Sequence, residues 1–343
     1  MGVGSIDWFR SYLTGRNQCV SVNGTDSGFM DVTCGVPQGS ILGPTLFLCY
    51  INDLSHCLKC HLSLYADDSA LVSSHRSITE LSSFLSGQLA IVQKWLIDNK
   101  LSLHIGKTES MVFSSKRKRK DTEGFSIRCG DSLVNRVHSV RYLGMMLDDC
   151  LSGEGHVLMI ISKISARISF LYRNAHLLNL RCRKTLCSAL IQPYFDYCCS
   201  SWYAGLSAKY MARLDVLQRK MVRFILRMEP RDHVGQEHLQ GLGWFSVPDR
   251  VRYFKLIHVF RVHTDRAPRY ISDSFRQVSS VHGHGTRQSH FNFHLNKSDA
   301  VGQMSKSFLF TSIKEWNSLP NSLKGDLQEK SFKTSLRAHI LTH

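Results

Sequence analysis

Tyr65-Ala66-Asp67-Asp68 lies between two short apolar runs, with Leu62 and Leu64 before it and Ala70, Leu71 and Val72 after it. Two brief apolar strands around a polar turn predict a β-hairpin that carries Asp67 and Asp68 at its tip. Adjacent carboxylates repel one another and add nothing to a core. They become useful when a hard divalent cation sits on them, because Mg²⁺ takes carboxylate oxygens and few of them. From these four residues alone a solvated Asp-Asp turn serves equally well. The surrounding chain shifts the balance.

Upstream, Gly35-Val36-Pro37-Gln38-Gly39-Ser40-Ile41-Leu42-Gly43-Pro44 places three Gly and two Pro in ten residues. That density fixes a tight backbone path. Leu46, Phe47, Tyr50, Ile51 and Leu54 then recur at helical spacing. A Gly-rich turn leading into a helix lets a large planar ligand approach the backbone, and Gln38 offers both a donor and an acceptor there. An ordinary loop before a helix has the same composition.

Taken in order, these segments resemble a known family. Gly35 to Asp53 followed by Tyr65-Ala66-Asp67-Asp68 resembles the central palm motifs of a reverse transcriptase. With Trp8-Phe9, Ser11-Tyr12-Leu13, Gly43-Pro44 and Ile51-Asn52-Asp53-Leu54 included, the string resembles non-LTR (LINE-type, jockey-like) retrotransposons. Downstream, Trp95-Leu96, Asn99-Lys100-Leu101-Ser102-Leu103 and Lys107-Thr108-Glu109 resemble the next palm motif, and Val140-Arg141-Tyr142-Leu143-Gly144 the primer-grip hairpin. Phe195-Asp196-Tyr197 with Trp202, then Trp316-Asn317-Ser318-Leu319-Pro320, resemble the far C-terminal part of such polyproteins.

The resemblance implies an α+β fold: a partial polymerase palm, an antiparallel sheet with helices, followed by a mostly helical thumb and C-terminal region. The expected division is a palm with its primer-grip hairpin over 1–150, a basic helical thumb over 151–275, a flexible linker over 276–304 and a short helical region over 305–343. The implied activity is RNA-directed DNA polymerisation, a nucleotidyl transfer from a DNA primer's 3′-hydroxyl on an RNA template. Two Mg²⁺ (or Mn²⁺) ions about 3.5–4 Å apart serve that chemistry by stabilising charge on the attacking and leaving oxygens. By resemblance, Asp67 is a metal ligand and Asp68 a supporting acidic residue. Gln38, Gly39 and Tyr65 face the nascent base pair and template, and Tyr142, Leu143 and Gly144 hold the primer end. Lys107 takes the position of the group that protonates the leaving pyrophosphate, a role suited to a cation beside phosphate oxygens.

One family motif is not found in these residues. It is a strand bearing an Asp that bridges both metals, with an aromatic-Asp pair a few residues on. Asp7 with Tyr12 echoes its spacing, but Asp7–Leu13 fits a later helix better, and Leu13 stands where the second Asp belongs. The nucleotide-gripping fingers and any endonuclease domain are absent too, so the sequence reads as the C-terminal piece of a larger polyprotein. The chain is accordingly expected to be inactive alone. A non-catalytic nucleic-acid-binding remnant and an incomplete gene model are the alternatives.

Charge distribution points to the same kind of partner. Residues 1–150 carry 15 Lys+Arg against 14 Asp+Glu, whereas residues 151–343 carry 28 against 13, so the second half holds nearly all of the net +16. A segregated excess suggests a surface that tracks phosphates. A helix capped by Ser207 and running to about Met228 would bury Leu214, Leu217, Met221 and Ile225 and leave Lys209, Arg213, Lys220 and Arg227 on a neighbouring stripe.

The rest of the sequence narrows the class. No apolar run approaches the ~20 residues that span a bilayer, and no signal-peptide pattern opens the chain, so neither membrane nor secretion is expected. Eleven irregularly spaced Cys read as reduced, mostly buried thiols of an intracellular protein, nuclear or cytoplasmic. His56-Cys57-Leu58-Lys59-Cys60-His61 resembles half of a zinc site, but no second half follows at suitable spacing. Lys116-Arg117-Lys118-Arg119-Lys120 must be solvated and serves equally as a phosphate contact, a nuclear address or a plain loop. Strands are expected near 20–23, 30–33, 110–114, 126–129 and 140–147. Helices are expected over 81–96, 157–171, 182–199, 207–228, 249–263, 305–317 and 326–341.

Overall fold

A chain with so few long apolar runs before residue 150 builds small sheets around one long helix. The computed structural model describes residues 3–114, 120–281, 291–296, 302, 304–326 and 328–342, and divides into two units, Met1–His138 and Ser139–His343. In the first unit helix α1 (Val3–Leu13) precedes four short strands: β1 (Arg16–Gln18), β2 (Ser21–Val22), β3 (Thr25–Asp26) and β4 (Met30–Val32). The pairing is nested, with β1 antiparallel to β4 and β2 to β3. The strands expected near 20–23 and 30–33 are therefore not partners of each other. Asn23 and Gly24 hold φ of +52° and +81° and close a two-residue turn between Val22 and Thr25. That is the Asn-Gly hairpin turn, and it claims the strand before 30–33 can pair with it.

Helix α2 (Gly43–Ile51) follows the Gly-rich turn, then β5 (His61–Tyr65) and β6 (Asp68–Val72) form an antiparallel hairpin. Helix α3 (Ile78–Asp98) is capped by Ser77, whose hydroxyl accepts from Glu80 N. Its apolar stripe faces two ways. Val92 and Trp95 are buried with Ile51 and Leu54, against the hairpin's Leu62, Leu64 and Leu71. Leu89 is buried with Phe125, Ile127, Cys129 and Val134. Those come from the region of β7 (Glu109–Ser110), β8 (Arg128–Cys129), β9 (Ser132–Leu133) and β10 (Asn135–Arg136), in which β7 and β10 run parallel. Lys116–Arg119 of the basic run lie outside the described residues.

The second unit opens with an antiparallel hairpin, β11 (Ser139–Tyr142) and β12 (Met145–Asp148). Helices α4 (Glu154–Arg173), α5 (Leu180–Leu190), α6 (Gln192–Asp196), α7 (Cys199–Trp202), α8 (Ala208–Leu226) and α9 (Gln236–Gly241) follow. Their core gathers Val157, Ile160, Ile164 and Ile168 of α4 with Leu214, Leu217, Met221 and Ile225 of α8. The single helix expected over 182–199 is broken, because Pro193 supplies no N–H and begins a new helix, and Cys198 takes a left-handed φ of +52°. Helices α10 (Val247–His263), α11 (Arg269–Ser272), α12 (Val278–Val281), α13 (Phe308–Asn317), α14 (Asn321–Lys324) and α15 (Glu329–Thr342) build a second core around Phe260, Trp316, Phe332 and Leu336.

Three expectations need correction. The division falls between His138 and Ser139, not at 150, since β11 and β12 bond to the helices that follow them. Residues 276–304 are not a linker throughout: Gln277 pairs with Phe293, which is buried beside Phe275 and Trp316, while 282–290, 297–301 and 303 lie outside the described residues. The thiols are not mostly buried either. Only Cys129, Cys187 and Cys199 are buried, and Cys34, Cys49, Cys57, Cys182 and Cys198 are exposed, because several fall in segments that bury little. No described helix is long and apolar enough to cross a membrane.

Candidate functional site

The β5–β6 hairpin carries the two carboxylates at its end, Asp67 in the turn and Asp68 as the first residue of β6 rather than in the turn with it. Tyr65 pairs with Asp68, so Ala66 and Asp67 are the two turn residues, and Ala66 takes φ +51°. A positive φ at the first turn position is what a tight hairpin with right-handed strand twist demands. Alanine bears it at a cost in local strain. Tyr65, Ala66, Asp67 and Asp68 are all exposed, while Leu62, Leu64 and Leu71 anchor the hairpin on Val92 and Trp95. The apolar faces of the strands thus fix a turn that presents two carboxylates to solvent.

Gln38 and Gly39 are also exposed on a turn. Gly39 has φ +78°, and Ser40 N donates to Pro37 O, as in a type II turn with Gly at its third position. Ser40 Oγ donates to Pro37 O at 2.7 Å and accepts from Gly43 N at 3.1 Å. Gly43 itself is buried, and a Cβ there would lie 2.8 Å from Ser40 Oγ and 3.1 Å from Pro37 O. Lys107 ends a short 3₁₀ turn, Ile105–Lys107, with its side chain exposed. Asp7 lies on α1 and pairs with Arg10 one turn on, at 2.8 Å, in keeping with the helical reading of that segment.

Divalent-metal chemistry asks more than two carboxylates. Hard oxygens at Asp67 and Asp68 suit Mg²⁺. However, among the described residues no third carboxylate, His or Cys joins them at ligand range. The described residues therefore do not make a two-ion site. The one described cluster of three potential ligands is Asp148, Asp149 and Cys150. There Asp148 already accepts from Cys150 N, Ser152 N, Ser152 Oγ and Gly153 N, which makes it the cap of the turn into α4. The Cys57–Cys60 segment forms no such cluster.

In the second unit Tyr142 pairs with Met145, which leaves Leu143 and Gly144 as a two-residue turn with φ of +46° and +80°. His156 of α4 is buried, and its Nδ1 accepts from Met146 N at 3.2 Å. The neutral ring then carries its proton on Nε2, which has no partner. Burial first, and the charge of Lys163 second, hold the His156 pKa below its ordinary value. A second proton on Nδ1 would break the bond to Met146. The stabilisation is therefore complete above pH ~6.5 and lost as pH falls through the lowered folded value. Thermal unfolding from pH 7.5 to 4.5 is expected to show a steeper loss for the wild type than for His156→Gln; parallel curves would contradict it.

The basic stripe is present along α8. Lys209, Arg213 and Lys220 are exposed, while Leu214, Leu217, Met221 and Ile225 are buried behind them. Lys209 and Arg213 both lie near the Tyr210 ring, at 5.8 and 5.9 Å. Arg227 differs. It is the left-handed C-cap of α8, and its guanidinium donates to Leu178 O at 3.2 Å, so it ties α8 to the chain before α5. Ser207 occupies the N-cap position with extended backbone, but its hydroxyl makes no capping bond. The positive charge of this unit is also partly internal, since Arg183, Lys255 and Lys324 are buried.

Residues 1–147 match the family described as reverse transcriptase (RNA-dependent DNA polymerase). The first 147 residues are thus similar to a reverse-transcriptase domain. Over 228 residues the chain is 27% identical to the RNA-directed DNA polymerase from mobile element jockey of Drosophila funebris, covering 63% of this chain and 24% of that protein. It is 26% identical over 229 residues to the probable RNA-directed DNA polymerase from transposon X-element of Drosophila melanogaster, covering 64% and 25%. The retrovirus-related Pol polyprotein from type-1 retrotransposable element R1 of Nasonia vitripennis is 26% identical over 223 residues, covering 61% and 65%. The chain is thus homologous to non-LTR retrotransposon polymerases, and spans about a quarter of the length of the first two.

Beyond the matched residues, the chain uses Trp316-Asn317-Ser318-Leu319-Pro320 as a clasp. Trp316 is fully buried, and its Nε1 donates to Phe291 O at 2.7 Å. Asn317 accepts from Phe293 N at 3.0 Å and donates to Phe293 O at 2.8 Å, the two bonds a neighbouring strand would make. Lys324 Nζ, its pKa lowered by burial, donates to Asn292 Oδ1 and to Asn317 O. Asn317→Ala strands both polar groups of Phe293, and is expected to destabilise the fold by about 2–3 kcal/mol in urea unfolding. A change under ~0.5 kcal/mol would contradict the clasp.

Proposed function

We propose that this chain is a template–primer-holding segment of a non-LTR retrotransposon reverse transcriptase. The family activity is RNA-directed DNA polymerisation, and the chain by itself binds a primed RNA template without extending it. One observation carries the reading: the exposed Asp67–Asp68 turn, held on a rigid hairpin, with no third ligand beside it among the described residues. In the proposed assignment Asp67 and Asp68 take Mg²⁺ or Mn²⁺ only in a fuller polymerase that adds a bridging carboxylate. Gln38, Gly39 and Tyr65 meet the nascent base pair and template. Lys107 offers its proton toward the leaving pyrophosphate, and Tyr142, Leu143 and Gly144 hold the primer end. Lys209, Arg213 and Lys220 follow the phosphate backbone.

Eleven irregularly spaced Cys and a basic second half support an intracellular site, nucleus or cytoplasm. A second reading, a remnant that only binds nucleic acid, is favoured by the concentration of charge after residue 150. Fusing a relative's segment that carries the first palm motif ahead of residue 1 separates the two. Extension that appears on fusion and vanishes with Asp67→Ala supports the polymerase reading. Intact binding with no extension favours the remnant.

A further inference from the structure

We infer that Tyr197 is the positioning residue of the turn at the tip of the β11–β12 hairpin, an inference that rests on the primer-grip reading of Tyr142, Leu143 and Gly144. The Tyr197 hydroxyl donates to Leu143 O. Its ring lies beside Gly144, where a Cβ would meet Tyr197 carbon at 3.6 Å and oxygen at 3.7 Å. Leu143 has φ +46°, a left-handed conformation that a branched apolar side chain adopts at a cost. Such a conformation persists where the surroundings over-determine it. Tyr197 supplies that constraint, with its hydroxyl fixing the Leu143 carbonyl and its ring backing Gly144.

Tyr197 is in turn held from several sides. Its N donates to Pro193 O, its carbonyl accepts from Trp202 Nε1 at 2.9 Å, and the neighbouring Asp196 forms a two-bond ion pair with Arg250 of α10. The loop leaving the hairpin closes on the same segment. A Cβ on Gly153 would lie 2.8 Å from Trp202 O, and one on Gly205 would lie 2.9 Å from Leu151 O. With the Met146–His156 bond, tip, strand and exit of the hairpin are all fastened to the helical unit.

Half of the Tyr197 surface remains exposed beside the turn. The residue reaches the turn's backbone and acts through it, so its effect on a primer end is one of placement. Placement matters because an error of ~1 Å at a reacting end costs on the order of 100-fold in rate. A tyrosine that only stabilised the fold would leave primer-end discrimination unchanged.

Tyr197→Phe keeps the ring and removes the hydroxyl, and the full chain is the test object. Three quantities are read: the melting temperature, amide exchange at Leu143, Gly144 and Met145, and affinity for an RNA–DNA duplex with a recessed DNA 3′ end relative to the same duplex made blunt. The variant is expected to melt near the wild type, to exchange faster at those amides, and to lose about fivefold of the recessed-end preference, the value of one neutral hydrogen bond. A wild-type preference that the variant keeps overturns the positioning role. Wild-type protein with no preference for the recessed end contradicts the primer-grip reading itself, whatever the exchange at the turn.

Discussion

Given a primed RNA template, Mg²⁺ and nucleotides, the purified chain is expected to leave the primer at its starting length, and Asp67→Ala is expected to change nothing. Asp67 in the turn and Asp68 at the start of β6 stand side by side, and no third ligand joins them among the described residues. A symmetric clamp on the attacking and leaving oxygens is worth several kcal/mol of transition-state stabilisation, so its loss costs on the order of a thousandfold or more in rate. Robust Mg²⁺-dependent incorporation that Asp67→Ala abolishes would overturn this. Such a result would require another carboxylate, with Asp7 the first to test, although Asp7 now pairs with Arg10 on α1.

Binding is expected to survive where extension does not, and to fall steeply with salt. Each Lys or Arg engaged with a phosphate adds about 0.9 units to the log–log salt slope on duplex. Lys209, Arg213 and Lys220 are exposed along α8, so replacing all three by Gln is expected to flatten the slope by about 2.7 units. The fold should be unaffected, because the three lie off the buried stripe of Leu214, Leu217, Met221 and Ile225. Arg227→Gln is expected to act differently, lowering stability more than the slope, since its guanidinium is committed to Leu178 O. An unchanged slope for the triple variant with normal circular dichroism would sink the stripe and leave the charge as a solubility feature.

The parts of this fold that could be read in advance are those set by short-range chemistry. The Asp67 hairpin follows from two apolar runs around a polar turn, and α3 and α8 follow from apolar spacings, buried throughout the α8 stripe but in α3 fully only at Leu89 and Val92, with Leu81, Leu85 and Leu96 half-buried. What stayed hidden depends on partners distant in sequence. β7 pairs with β10 through two residues on each side, too short to leave a periodic signal. Arg227 falls on the same helical stripe as Lys220, and only the tertiary packing reveals that Leu178 O captures it. The Asn23-Gly24 dipeptide is a short-range turn signal, and it closes the β2–β3 hairpin. In the site, the carboxylate turn and the Gly-rich loop were visible as motifs. The fastening of the β11–β12 hairpin by Tyr197 and His156 was not, because one hydroxyl and one imidazole nitrogen bonded to backbone leave no pattern in sequence.

The claim that this chain holds a primed template without extending it is tested most directly on the complex itself. The full chain is bound at low salt to an RNA template carrying a labelled DNA primer, free nucleic acid is removed, and Mg²⁺ with all four nucleotides is added. The primer is then sized from the protein-bound fraction. Primer recovered in complex at its original length is the expected result. Primer lengthened in complex, or no complex to isolate at low salt, would contradict the account.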